Sequence, residues 1–193
     1  MRILKNIIIS LPVLGLLFFP YCKRADNLKV FDFGGDFSLT DQYGHSFHLA
    51  DLRGKTVLLF FGYTLCPDIC PTTLSKLKKV NEILGSQSEN IRVIFITVDP
   101  ERDTKDRMEK YLAYFDIGVI GLTGSKKEIQ SVTDSYHAVF EKVVVKDSAA
   151  GYLVNHSSLT YLIDKKGKIR YLFRQSENPA LMASIIKILL DEK

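Results

Sequence analysis

A short apolar run followed by a helical pattern is the feature that most constrains the fold of this chain. Val57 to Phe61 is continuously apolar and ends at Gly62, which predicts a strand buried on both sides, as in parallel sheets. Pro71 suits a first helical position, because its missing N–H would be unpaired there in any residue. Apolar residues then recur at helical spacing, at Leu74, Leu77, Val80 and Leu84.

Cys66 and Cys70 fall on this predicted strand-to-helix loop and on the first helical turn. The partial positive charge at a helix N-terminus lowers the pKa of a nearby thiol and favours the thiolate, which is both a nucleophile and a metal ligand. The pair can close a disulfide, or it can hold a soft metal ion with help from a third ligand. Inert buried cysteines are the alternative, but Pro67, Asp68 and Pro71 indicate an exposed turn.

Residues 1–22 have the form of a secretion leader. Two basic residues precede an apolar run from Ile7 to Phe19, which is short for a membrane span of about 20 residues. Cys22 follows, where bacterial lipoproteins are acylated, although Tyr21 replaces the usual small residue. We expect a lipid or an uncleaved anchor helix, with a cleaved leader as the alternative. In either case the leader is expected to hold the protein at the periplasmic, extracytoplasmic face of the cytoplasmic membrane. Residues 23–35 are polar and are expected to form a tether between this anchor and the domain.

Charge and cysteine content exclude several classes of function. The chain has 26 basic and 22 acidic residues, and two of the basic ones lie in the leader, so the remainder carries only 24 against 22. Nucleic-acid binding is therefore not indicated. Three cysteines cannot form a disulfide framework, which favours redox or metal use. A total of 193 residues suits a single domain, which we place at residues 36–193.

The remaining patterns predict an α/β domain. An N-terminal β-hairpin is predicted around the turn at 41–44, and a C-terminal hairpin follows a loop-like break at His156. Thr104, Ser125 and Asn178 are predicted to cap helices, two of which end near Phe115 and His137. Single strands are predicted at Ile91–Val98, Val119–Leu122 and Val139–Lys146. This order gives a mixed β-sheet flanked by helices, and a dithiol at its strand-to-helix junction is the thioredoxin arrangement.

The other histidines give no metal site. His45 and His48 would lie on opposite faces of one strand, because strand side chains alternate, so they cannot face the same ion. Both are expected at the surface. His137 is expected to be a structural residue at a helix end.

The chain resembles the Sco/SenC family of copper-binding, thioredoxin-like assembly factors for cytochrome c oxidase, over roughly residues 36–173. The shared blocks are Asp51–Lys55, Phe60–Thr64, Cys66–Pro71, Val98–Thr104, Gly121–Gly124, Val154–Ser157 and Tyr161–Asp164. The resemblance implies that Cys66, Cys70 and His156 bind Cu(I) and Cu(II), and that the two cysteines can form a disulfide. It also implies a partner, cytochrome c oxidase subunit II.

Donor chemistry agrees with this implied set. Two thiolates and an imidazole suit Cu(I), and with a fourth oxygen ligand they can hold Cu(II), whereas structural zinc takes four protein ligands. Two positions depart from the family: Asn155 stands where an acidic residue is common, and Lys105 where a proline is common. Asp99 and Asp103 could orient the site, although a helix-capping role is favoured.

Two functions follow. The favoured one is a copper metallochaperone that helps assemble the binuclear copper site of subunit II. The alternative is a membrane-tethered thiol–disulfide reductase that keeps the cysteines of that subunit reduced, with Cys66 or Cys70 as the attacking thiol, so whether the protein is an enzyme is left open. Thioredoxin-like oxidoreductases have a cis-proline loop that faces the dithiol, but this sequence has no proline between Pro100 and Pro179. This weighs against a general oxidoreductase. A peroxiredoxin is disfavoured because Pro67 occupies the position of its hydroxyl residue.

Overall fold

The structure is a computed structural model that describes residues 28–145 and 150–192. The predicted leader with Cys22, the first residues of the predicted tether and most of the loop predicted at 147–151 lie outside these ranges. None of the helices in the described ranges has the length and apolar content that a membrane-spanning segment requires.

Short elements alternate along the described chain. The strands are β1 (Ser38–Asp41), β2 (Ser46–His48), β3 (Thr56–Gly62), β4 (Ile91–Thr97), β5 (Ile120–Thr123), β6 (Phe140–Val144), β7 (Tyr152–His156), β8 (Thr160–Ile163) and β9 (Ile169–Phe173). The α-helices are α1 (Ile69–Leu84), α2 (Lys105–Ala113), α3 (Lys126–Ser135) and α4 (Pro179–Asp191). Two 3-10 turns lie at Leu49–Leu52 and Gly85–Asn90.

Seven strands form one mixed sheet in the order β2-β1-β5-β4-β3-β8-β9. Its centre is parallel, because β4 pairs in parallel with β3 on one side and with β5 on the other. Strands β1 and β8 join this centre antiparallel. The predicted thioredoxin-like α/β class, with its mixed sheet and N-terminal β-hairpin, is confirmed.

Helices cover both faces of this sheet. Side chains alternate along a strand, so Leu58 and Phe60 of β3 pack with α1, α2 and α4, while Leu59 and Phe61 pack with α3. Every residue of β3 is buried. This two-sided burial explains why the sequence of the strand is continuously apolar.

The predicted helix starts are confirmed by their caps. Thr104 and Asn178 each accept a hydrogen bond from the backbone N–H three residues on, and Ser125 forms a capping box with Glu128. Each cap satisfies N–H groups that have no partner inside the helix.

Three helix boundaries differ from the prediction. Helix α1 begins at Ile69, so Pro71 is the third helical residue, where an N–H would still lack an intrahelical partner. Helix α2 ends at Ala113 and not at Phe115. Helix α3 ends before His137, whose φ of 52° is left-handed and stops the helix.

The main difference concerns the chain around His156. The sequence predicts a loop-like break there, but His156 is the last residue of β7, paired with Phe140 of β6. Strands β6 and β7 form a two-stranded antiparallel sheet of their own. Four of the five β6 residues are exposed, so this strand lacks the buried face by which sequence patterns place a strand in a sheet.

Residues 28–35, the described part of the predicted tether, lie against the domain. The Phe31 N–H donates to the Ile169 carbonyl at 2.9 Å. The Phe33 ring stacks on the His137 imidazole with a centroid distance of 4.5 Å. This part of the chain therefore runs from the edge strand β9 to the C-terminal end of α3.

Candidate metal centre

The two cysteines lie where β3 gives way to α1. Cys66 is partly buried in the connecting loop, and Cys70 is buried in the first turn of the helix. Both are free thiols. The Cys70 N–H points at the Cys66 sulfur at 3.4 Å, so the start of the helix donates to this sulfur as the sequence predicts.

Gly62 lets Cys70 approach the end of β3. A Cβ atom at this position would lie 2.6 Å from the Cys70 Sγ and 2.7 Å from Cε2 of Phe95. Both distances are shorter than nonbonded atoms tolerate. The absence of a side chain at Gly62 therefore fixes how closely the first turn of α1 packs on the strand.

His156 brings a third donor atom to the sulfurs. Its Nε2 lies 3.5 Å from the Cys70 Sγ and 3.9 Å from the Cys66 Sγ. All three donor atoms lie within 4.8 Å of one another. The His156 Nδ1 lies 3.0 Å from the Ser157 carbonyl oxygen, which can only accept, so Nδ1 donates there and Nε2 is the ring nitrogen that faces the sulfurs.

The spacing of these donors suits one metal ion. Metal–sulfur and metal–nitrogen bonds of about 2.0–2.3 Å in a trigonal arrangement separate the donors by about 3.7–4.0 Å. The two observed sulfur–nitrogen distances, 3.5 and 3.9 Å, lie within or about 0.2 Å below this range. Two soft sulfurs and one imidazole are the ligand types that copper prefers.

The two thiols differ in protonation. The Cys70 thiol donates a hydrogen bond to the Cys66 sulfur, and this bond, more than any other contact, holds the pKa of Cys66 well below its usual range. The same bond, together with burial, raises the pKa of Cys70. Cys66 is therefore the thiolate of the pair and Cys70 the protonated thiol.

Tyr63 supports the histidine. It is 2% exposed, and its ring meets the His156 ring edge to face at a centroid distance of 5.8 Å. Its hydroxyl oxygen accepts from the Val154 N–H at 3.3 Å. No role of Tyr63 is predicted from the sequence, although it lies in the shared Phe60–Thr64 block.

Asp99 and Asp103 hold neighbouring loops and do not cap a helix. Asp103 accepts from both the N–H and the hydroxyl of Thr64, and Asp99 accepts from the Tyr152 hydroxyl at 2.8 Å. The cap of α2 is Thr104. The favoured interpretation of both residues as caps was therefore wrong, because the Asp103 carboxylate binds the thiol loop and the Asp99 carboxylate binds β7, the strand that carries the imidazole.

The remaining predicted positions lie outside the centre. His45 and His48 are exposed, near Asp41 and Ser38, and His137 stacks on Phe33. The two departures from the family are placed as follows: Asn155 is exposed, one residue before His156 in β7, and Lys105 is the first residue of α2.

An open cleft gives access to the centre. It has a volume of about 340 Å³ and is lined by residues of the thiol loop and of β7, among them Tyr63, Cys66, Asp68, Leu153 and His156. Cys70 is not among the lining residues. A molecule entering the cleft therefore meets Cys66 and His156 first.

The chain is similar to known proteins in both sequence and fold. The SCO2-like protein of Rickettsia felis is 41% identical over 162 residues, which are 84% of this chain and 78% of the relative. The structure of Bradyrhizobium japonicum ScoI with copper bound is 41% identical, covers 81% of this chain and 99% of its own, and superposes with a TM-score of 0.74.

A more distant structure is that of BsSco, a member of the Sco family of cytochrome c oxidase assembly proteins in which a disulfide switch was identified. It is 26% identical, covers 86% of this chain and 99% of its own, and has a TM-score of 0.67. The sequence model of the SCO1/SenC family matches residues 25–191. With a match over most of its length, this chain belongs to the SCO1/SenC family.

Proposed function

We propose that this protein is a copper metallochaperone that binds Cu(I) and Cu(II) through Cys66, Cys70 and His156. The observation that carries the proposal is the convergence of two sulfurs and one imidazole nitrogen within 4.8 Å. The copper-bound relative at 41% identity supports the choice of metal. Transfer to an acceptor protein by ligand exchange, without turnover of a small substrate, is the activity this site would serve.

Loading of the site is coupled to proton release. The Cys66 thiolate is ready to bind, whereas Cys70 must lose its proton, which its raised pKa opposes. His156 would bind through Nε2, because its Nδ1 donates to the Ser157 carbonyl oxygen. Cys66 and His156 line the cleft and would be the first ligands that an acceptor protein displaces.

The proposed acceptor is the binuclear copper site of cytochrome c oxidase subunit II, reached at the extracytoplasmic face of the membrane. Support for the oxidase comes from BsSco, described as a member of an oxidase assembly family. The choice of subunit II rests on the family resemblance, and the location rests on the leader-like sequence of residues 1–22. Acylation at Cys22 or an uncleaved helix would supply the attachment.

One observation favours a second candidate, thiol–disulfide exchange. An accessible thiolate beside a buried protonated thiol is the arrangement of an attacking and a resolving cysteine. In this alternative Cys66 would attack a disulfide of the partner and Cys70 would resolve the mixed disulfide. Among the described residues there is no cis peptide bond, so the cis-proline contact of general thioredoxin-like oxidoreductases is missing from these ranges.

Copper titration of the reduced protein tests the proposal. We expect the wild type to bind one copper ion per chain, and His156→Ala to lower Cu(II) affinity by more than about 100-fold, because even partners that only orient ligands are typically worth 10- to 100-fold. His45→Ala is the matched control, since His45 is exposed outside the centre. Oxidation of Cys66 and Cys70 to a disulfide should remain intact in His156→Ala.

Unchanged copper affinity in His156→Ala would contradict the assignment of this ligand. Catalytic reduction of disulfide substrates by wild type, with no dependence on copper and no loss in His156→Ala, would instead favour the reductase. Both assays use the same reduced protein, so the two functions are compared directly.

A further inference from the structure

The strand that carries the candidate histidine ligand is not part of the main sheet. Among the described strands, β7 pairs only with β6, and the two are joined through residues 145–151. Backbone hydrogen bonds of the seven-stranded sheet therefore do not fix the distance from His156 to the sulfurs. Besides the short link from His156 to β8, side-chain contacts hold this two-stranded sheet against the thiol loop.

Arg102 makes the most extensive of these contacts. Its Nη1 donates to the carbonyl oxygens of Ala150 and Tyr152, both at 2.9 Å, at the start of β7. Its guanidinium also stacks on the Tyr152 ring, 3.5 Å from the centroid. The planar fork of arginine allows both contacts at once, which a lysine could not make.

Asp99 completes the contact from the other side. It is fully buried, accepts from the Arg102 Nε at 2.5 Å and accepts from the Tyr152 hydroxyl at 2.8 Å. Arg102 is itself only 17% exposed along its side chain. Asp99, Arg102 and Tyr152, the first residue of β7, thus each contact the other two.

The same segment also holds the thiol loop. Asp103, next to Arg102, accepts from the N–H and hydroxyl of Thr64, two residues before Cys66. The short stretch from Asp99 to Asp103 therefore contacts both chain segments that carry donor atoms. A change in its side chains would change the separation of the imidazole from the sulfurs.

We propose that Arg102 is the positioning residue of the metal centre: by binding the start of β7 it sets the reach of His156 toward Cys66 and Cys70. This inference rests on the proposed function, because it concerns the same three ligands. Arg102 touches none of the donor atoms and acts only through the placement of His156. Its loss should therefore weaken the contribution of the imidazole and spare that of the sulfurs.

The test compares wild type with Arg102→Met, which keeps an apolar side chain over Tyr152 and removes the donors. We expect Cu(II) affinity to fall by about tenfold or more, Cu(I) affinity to change less, and the thiolate-to-Cu(II) absorption band and Cu(II) electron paramagnetic resonance spectrum to shift. Arg53→Met is the matched control, because Arg53 also pairs with an aspartate, Asp36. Arg53 lies before the start of β3, whereas the thiols lie after its end. Arg53→Met should leave both spectra unchanged.

A double-mutant cycle separates positioning from general loss of structure. If Arg102 acts through His156, then Arg102→Met should have no further effect on Cu(II) affinity in the His156→Ala background. Additive losses in the cycle, or wild-type spectra in Arg102→Met, would overturn the positioning role. Wild type that binds no copper would instead overturn the proposed function.

Tyr152→Phe gives the same test if Arg102→Met does not fold. It removes only the hydroxyl that donates to Asp99 and keeps the ring under the guanidinium. We expect a loss of about threefold to tenfold in Cu(II) affinity, the size of one hydrogen bond, again absent in the His156→Ala background. Equal loss in both backgrounds would contradict the inference.

Discussion

Two thiols four positions apart in sequence differ sharply in chemistry at the scale of single residues. Cys66 is partly exposed with a lowered pKa, and Cys70 is buried with a raised pKa. At pH 6 an ordinary cysteine, with a pKa of about 8.5, is almost entirely protonated. Cys66 should still be a thiolate at this pH, because its folded-state pKa lies well below it.

We therefore predict that iodoacetamide modifies Cys66 selectively at pH 6. Within the folded protein the rate at Cys66 should exceed the rate at Cys70 by about tenfold or more, because Cys66 is a partly exposed thiolate and Cys70 is a buried, protonated thiol. Peptide mapping by mass spectrometry measures the modification of each cysteine. Protein unfolded in urea is the control, in which Cys66 and Cys70 should react equally slowly; preferential modification of Cys70 in the folded protein would contradict the assignment.

Residue types and spacing alone predicted the thiol pair and its setting, but not its third partner. Cys66 and Cys70 follow an apolar run within a few residues, so local sequence places them on the strand-to-helix loop. His156 lies 86 residues beyond Cys70, and only the family resemblance related it to them. Tyr63 and Arg102 were missed because their roles exist only in contacts between distant segments.

The position of Cys70 depends on how closely the first turn of α1 packs against the end of β3 at Gly62. We predict that Gly62→Ala moves the first turn of α1 away from the strand, because the new methyl group would collide with the Cys70 Sγ and Phe95. The free energy of unfolding should fall by about 1–3 kcal/mol, as expected for overpacking. The Cu(II) absorption band should also shift or weaken.

Gly121→Ala is the control for this substitution. A Cβ atom at Gly121 would lie 2.4 Å from Cδ1 of Leu112, which is an equally severe collision but involves α2 and not the thiols. Denaturant unfolding should show a similar loss of stability in both variants, whereas only Gly62→Ala should alter copper binding. Equal effects of the two variants on the copper spectrum would show that Gly62 has no specific role at the centre.

Sequence patterns predicted the elements of the main sheet and the strand β6, but not β7 or its pairing with β6 in a separate sheet. Strands β3 and β4 are almost continuously apolar because both of their faces are buried, so their sequences directly predict central strands. Strand β6 is mostly exposed, and β7 has a single buried residue, Val154. Their placement depends on Arg102 and Tyr63, which belong to other parts of the chain.

The molecule as a whole has two differently organised ends. The thiols follow the C-terminal end of β3, whereas the opposite end of the sheet gathers the first and last described segments of the chain. There Arg170 of β9 donates to the Leu28 carbonyl at 2.8 Å and pairs with Asp164 and Glu192. Since Ile169 aligns with Ile163 and Ile163 with Val57, the start of β9, which carries Arg170, lies at the same end of the sheet as the start of β3.

We predict that Arg170→Met destabilises the whole domain without changing the metal centre. Arg170 is 8% exposed, and its loss would leave two carboxylates and a backbone carbonyl without their shared donor. Breaking a buried ion pair costs about 3–5 kcal/mol, but Glu192 keeps some contact with water, so a loss of about 2 kcal/mol in the free energy of unfolding is expected. Denaturant titration measures this loss, and limited proteolysis should show faster cleavage within residues 28–35.

Arg53→Met again provides the comparison, because its pair with Asp36 is exposed and should be worth less than about 1 kcal/mol. The Cu(II) spectrum of Arg170→Met should equal that of wild type, since β3 separates the two ends by about 20 Å at about 3.3 Å per residue. A shifted spectrum in Arg170→Met would mean that the ends are coupled through the sheet. An unchanged spectrum with reduced stability would show that the contacts of Arg170 with Leu28, Asp164 and Glu192 stabilise the fold without affecting the metal centre.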